Sequence, residues 1–111
     1  MTVEERLEAG LGLMRGAAYF EAHEELELAW RAAAADERDF FQGLVHVTVA
    51  WYQARRGNRT GCTRQLEKAS RRLASFVPSH RGVDVTDVLE QVAAAQRVVA
   101  AGSLELAPLR I

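Results

Sequence analysis

The sequence predicts an all-α fold, a single compact bundle of about five helices with a central antiparallel helical hairpin, and three observations predict it. Apolar residues recur at three- and four-residue intervals through every long segment. No segment sustains the apolar-polar alternation of half-buried strands between hairpin turns. Helix-start and helix-stop residues follow one another at short intervals, as they do in helical hairpins.

Thr2 followed three residues later by Glu5 is a capping box, and Val3, Leu7, Leu11 and Met14 form one face of a first helix ending at Arg15-Gly16. A second helix, about Ala18 to Ala34, sets Tyr19, Ala22, His23, Leu26, Ala29, Trp30 and Ala33 on one side. Glu21, Glu24 and Glu25 point away or to its flanks. Asp36 is a good N-cap for a third helix, about Glu37 to Arg56, closed by Gly57-Asn58. Phe40, Phe41, Leu44, Val45, Val47, Val49, Trp51 and Tyr52 cover most of its circumference, which places it in the middle of the bundle.

The fourth helix, about Arg59 to Phe76, buries Cys62, Leu66, Ala69, Leu73 and Phe76, turns Arg64, Lys68 and Arg71 outward, and stops at Pro78. After the loop "PSHRGVD", Asp84 caps a fifth helix over about residues 84–101, with the stripe Val85, Val88, Leu89, Val92, Gln96 and Val99. The leucines of the tail, residues 102–111, could pack back on the bundle.

A chain of 111 residues is about one small domain, long enough to bury a core without covalent staples. The single cysteine, Cys62, excludes an internal disulfide framework and a zinc site built on cysteines, and its helical setting reads as a buried thiol. The acidic start "MTVEERLEAG" is unlike a secretory signal, and the longest nearly apolar run, Gly43 to Tyr52, is too short to span a bilayer. A cytoplasmic protein without membrane contact is expected. Charge is uneven: residues 1–39 hold ten acids against four bases, and residues 55–81 hold eight bases against one acid. Such segregation pairs segments within a fold or an oligomer, or offers a basic face to an outside anion.

The third helix carries one polar line, Asp39, Gln42, His46 and Gln53. If the second and third helices run antiparallel across a tight turn, residues whose numbers sum to about 69 lie level, pairing His23 with His46 and Glu27 with Gln42. His23, Glu24, Glu27 and His46 could then hold a divalent transition metal, with imidazole and carboxylate donors and positions left for water. Against this, "EAHE" lacks the Glu-x-x-His spacing of di-iron bundles, and a structural role for the two histidines is the leading expectation. Arg59, Arg64, Lys68 and Arg71 could attract nucleic-acid phosphate, but no aromatic residues interleave with them for stacking.

The succession "YFEAHEELELAW", Arg38, "FFQGLVHVTVAWYQARRGNRTG", Leu66 and Ala69 resembles the bacterial, archaeal and plastid family called domain of unknown function 309. Its pattern, aromatic-aromatic-Glu-Ala-His-Glu, a tryptophan six residues on, Gln-Gly-Leu-Ile/Val and Arg-Gly-Asn-x-x-Gly, falls here on Tyr19 to Glu24, Trp30, Gln42 to Val45 and Arg56 to Gly61, within a match running from about Gly16 to Asp87. The resemblance implies a compact helical domain and no assigned chemistry. It nominates Glu21, His23, Glu24, Trp30, Arg38 and Gln42, either as a site or as a structural network in which Glu21 or Glu24 pairs with Arg38 and Gln42 bridges helices. The expected role is an interaction or scaffold domain that self-associates or binds a protein partner, with no cofactor. The alternatives are a hydrolase assisted by a divalent metal and a nucleic-acid binder.

Overall fold

The computed structural model describes residues 1–111. Helix α1 spans Val3–Arg15, α2 Tyr19–Ala32, α3 Arg38–Arg55, α4 Arg59–Leu73 and α5 Val85–Ala100. Single 3₁₀ turns, Ala35–Glu37 and Ala74–Phe76, link α2 to α3 and extend α4, and a two-residue hairpin, β1 (Ser79–His80) with β2 (Val83–Asp84), precedes α5. The fold is all-α, and each helix packs chiefly on its neighbour in sequence, α3 most extensively on α4.

The local chemistry of the ends explains most of these bounds. Thr2 accepts from the Glu5 amide while the Glu5 carboxylate accepts from the Thr2 amide, so α1 starts at its capping box. Asn58 and Asp84 cap α4 and α5 through the amides of Gly61 and Asp87. Asp36 does not cap α3. The chain enters that helix through the 3₁₀ turn, so Asp36 lies inside the turn, and the Glu37 preceding the helix makes no side-chain cap. Asn58 likewise opens α4 rather than closing α3, whose end is turned by Gly57 at φ +72°.

One core unites the helices: Leu7, Leu11 and Met14 of α1; Tyr19, Ala22, Leu26 and Ala29 of α2; both faces of α3, including Phe40, Phe41, Leu44 and Val47; Cys62, Leu66, Ala69 and Leu73 of α4; and Val85, Val88, Val92 and Val99 of α5. Phe76 is only partly buried. The expected α5 stripe needs one correction. Gln96 is exposed, and the buried line runs instead through Gln91, Val92 and Ala95, because Gln96 lies about 100° round the helix from Ala95.

Gly43 explains why α3 and α4 approach so closely. A Cβ there would stand 2.6 Å from the Leu73 side chain and 3.3 Å from Arg72 Cβ, so only a hydrogen fits. The tail does return to the bundle: Leu109 is buried, while Leu104, Leu106 and Ile111 pack partly buried against the core. No helix is long and apolar enough to cross a membrane.

Candidate functional site

The polar line of α3 faces α4. The Asp39 carboxylate accepts from Arg72 Nη1 at 2.7 Å, His46 Nδ1 lies 2.7 Å from Gln65 Oε1, and Gln53 Oε1 accepts from Asn58 Nδ2 at 3.1 Å. These three pairs recur at seven-residue steps along both helices, the spacing at which a straight helix nearly returns to the same face. They form a polar ladder beside the close approach of Gly43 to Leu73. Gln42 lies half-buried on the same side without a side-chain hydrogen bond, so it does not bridge helices in the expected way.

Because the Gln65 carbonyl oxygen can only accept, His46 Nδ1 carries its proton, and Nε2 is left buried without a partner. Arg72 Nε is likewise buried and unpartnered. Burial holds the His46 imidazole below the usual histidine range; the Gln65 bond works against this, while the charges of Lys68, Arg72 and Arg71 add to it.

His23 is elsewhere. Its Nδ1–H donates to the Phe20 carbonyl at 2.9 Å, and its Nε2 lies 3.8 Å from Glu27 Oε2 on the next turn of α2. The ring lines a cavity of about 180 Å³ between α2 and α3 with Tyr19, Phe20, Val49, Tyr52 and Gln53. Phe20 packs at 5.3 Å from the His23 ring and 5.6 Å from Tyr52. The metal set raised as an alternative, His23, Glu24, Glu27 and His46, therefore does not come together: no group of three or more His, Cys, Asp or Glu stands close enough to hold an ion. The physical reason is the face of α3: His46 turns toward Gln65 of α4, while Val49 and Tyr52 line the side next to His23.

Chemically, the α2–α3 cleft offers one acceptor nitrogen, His23 Nε2, and one donor, the Gln53 amide nitrogen, between aromatic walls. With the Tyr19 and Tyr52 phenols in the walls, that can orient a small planar group. Cys62, buried in α4, has its thiol pushed up by burial, which keeps it protonated and unreactive.

The other nominated residues are dispersed. Glu21, Glu24 and Arg38 are exposed and make no side-chain hydrogen bond or ion pair, so the expected network between them does not form. Trp30 is half-buried against the core. Arg59, Arg64, Lys68 and Arg71 are exposed on α4, and only Arg71 has an acidic neighbour, Glu67 at 3.6 Å.

Two polar clusters escaped sequence reasoning. Arg81 joins the Glu37 carboxylate at 2.6 and 2.8 Å to Glu4 at 2.6 Å, and His80 Nε2 lies 2.8 Å from Glu37, clamping the hairpin to the starts of α1 and α3. The Arg81 guanidinium, opposed by burial and assisted by His80, holds the Glu37 carboxyl down at about 2. His80 also packs edge-on against Phe40 and Phe76, so it is a structural residue rather than a solvated turn. On α5, the Gln91 amide donates to the Arg110 carbonyl at 2.6 Å and accepts from the Arg110 amide at 2.9 Å. No signal in the sequence pairs Gln91 with a residue of the tail.

Fold and site together define a small helical-bundle domain with an aromatic cleft and segregated surface charge. A family model described as Domain of unknown function (DUF309) matches residues 7–65, more than half of the chain, and the protein belongs to that family. The match covers most of α1, all of α2 and α3 and the first part of α4, starting and ending earlier than the resemblance read from the motifs, and includes every motif residue from Glu21 to His46. No curated protein and no solved structure matches the chain.

Proposed function

We propose that this domain is an interaction module that self-associates, the acidic outer face of α2 meeting the basic outer face of α4 on another copy. One observation carries this reading: two unsatisfied faces of opposite charge lie on opposite sides of α3, and the acidic one also exposes large apolar side chains. On α2, Phe20 and Leu28 are 46% and 40% exposed, and they stand among Glu21, Glu24 and Glu27 at helical spacing. On the outer face of α4, Arg64 and Lys68 have no acidic partner within the chain, and Arg71 beside them meets only Glu67 on its own helix.

Their aliphatic stems can cover Phe20 and Leu28 while their charged heads meet the glutamates. The contact is heterologous, since the two faces differ, and it produces rings or short chains rather than a closed twofold pair. Solution mass measured over a dilution series tests it. Mass should rise with concentration at about 50 mM salt and fall toward the monomer at about 500 mM, where screening shortens the reach of the charges. Phe20→Ser with Leu28→Ser should weaken association, and so should Arg64→Glu with Lys68→Glu. A strict monomer at low salt and high concentration would overturn the reading.

A further inference from the structure

The body of the bundle holds residues 103–111 largely by their backbone. Trp51 Nε1–H of α3 donates to the Ala107 carbonyl at 2.9 Å, and the Gln91 amide of α5 reads both the carbonyl and the amide of Arg110, as a neighbouring strand would. Only Leu109 is fully seated among the tail side chains. Clefts of about 180, 210 and 260 Å³ open along the segment, so its edges face solvent and its release forfeits chiefly the seat of Leu109 and the partly buried Leu104, Leu106 and Ile111.

The tether is a single turn. Gly102, at φ +96°, redirects the chain after α5 through bonds from its own amide to Val99 and from the Ser103 amide to Val98. Nine extended residues reach about 30 Å. The whole molecule measures 39 × 25 × 20 Å, so a released tail can cross to an adjacent copy while its own α5 stays in place.

We propose that the tail is an exchangeable strap, and that the groove it fills between α3 and α5 accepts residues 103–111 of a second copy. The donors and acceptors that recognise Ala107 and Arg110 are indifferent to whether that backbone arrives from the same chain. This surface is separate from the charged faces of α2 and α4. Beside two exposed charged contacts, Arg110 with Asp87 at 4.0 Å and Arg15 with the Ile111 oxygen at 3.3 Å, its seat is made of backbone hydrogen bonds and buried apolar side chains, so exchange survives salt that disperses the charged contact.

The test mixes full-length Ala94→Cys chains with full-length Ala107→Cys chains and joins them with a short bis-maleimide. The two positions line one cavity beside Trp51, and Cys62 is buried away from the reagent. Neither chain can close the link internally. The expected result is a mixed dimer well above twice either homodimer, the ratio that random encounters alone give, rising with protein concentration, persisting at about 500 mM salt, and suppressed by excess synthetic peptide of residues 103–111. Placing Gly102→Ala in both chains strains the positive-φ turn without a steric clash, since no atom lies within 4 Å of the added Cβ, and should raise the yield several-fold. A mixed dimer no more than twice as abundant as either homodimer, with helicity by circular dichroism intact, overturns the proposal. So does a yield that collapses at high salt or ignores the peptide, whereas loss of salt-sensitive mass with the mixed dimer retained overturns only the charged contact.

Discussion

His46 and Gln65 meet at 2.7 Å across the α3–α4 seam, midway between the Asp39–Arg72 and Gln53–Asn58 pairs. Replacing one partner strands the other in a half-buried seam. His46→Leu alone should therefore destabilise the fold by about 1–2 kcal/mol, and His46→Leu with Gln65→Leu by less than the sum of the two single changes. Urea unfolding of the four proteins closes the cycle.

The same imidazole gives the fold a pH dependence. Its folded value lies below the ordinary one of about 6.5. The unfolded chain therefore binds the proton first, and the stability contributed by neutral His46 is present above about pH 6.5 and lost as pH falls toward the folded value. Unfolding midpoints measured at pH 7.5 and pH 5.5 should differ more for the native sequence than for His46→Gln, which has nothing to titrate.

For Glu37 the window lies lower. Its carboxyl, held at about 2 by Arg81 against an ordinary 4.5, contributes stability that is present above pH 4.5 and lost as pH falls toward 2. Arg81→Ala should return the Glu37 titration, followed by carboxyl chemical shifts, toward the ordinary range and should flatten acid unfolding over that interval.

Gly43→Ala tests the close approach of α3 and α4. With Leu73 fully buried and 2.6 Å from the added carbon, overpacking should cost about 1–3 kcal/mol in thermal or urea unfolding. Leu73→Ala in the same chain should make the glycine substitution nearly neutral, because the space it needs is then empty.

Ala17 sits at φ +59° between α1 and α2, a left-handed conformation that disfavours a side chain, and its carbonyl accepts from Arg55 Nη1 at 2.6 Å. Ala17→Gly should stabilise the protein by about 1 kcal/mol. Arg55→Ala, which removes the bond fixing that turn and the guanidinium lying 4.5 Å over the Tyr19 ring, should destabilise it.

Much of the bundle could be read from periodicity because the buried side chains of α1, α2 and α4 repeat without interruption. The caps were legible where a side chain alone decides the start, at Thr2 and Asp84, whereas Asn58, expected with Gly57 to close α3, opens α4 instead. Asp36 misled because a 3₁₀ turn satisfies the same stretch of backbone in another way. The polar line of α3 was visible, but α3 has neighbours on both sides, and the hydropathy of α2 and α4 does not say which one receives it. The answer lay in spacing: Asn58, Gln65 and Arg72 repeat every seven residues opposite Asp39, His46 and Gln53. The hairpin at Ser79–Asp84 is too short for alternation to register, and the embrace of Arg110 by Gln91 spans nineteen residues with no local trace.

The neighbour-on-neighbour arrangement of the helices has a kinetic corollary. Each successive hairpin can close over a short span of chain, so little loop entropy must be lost before contacts form, which is the topology associated with microsecond-to-millisecond folding. The bonds from Arg81 to Glu4 and from Arg15 to the carbonyl of Ile111 join the distant ends only once the rest has assembled. The order of packing, each helix on the one before it, is thus also the order in which a ribosome delivers the helices.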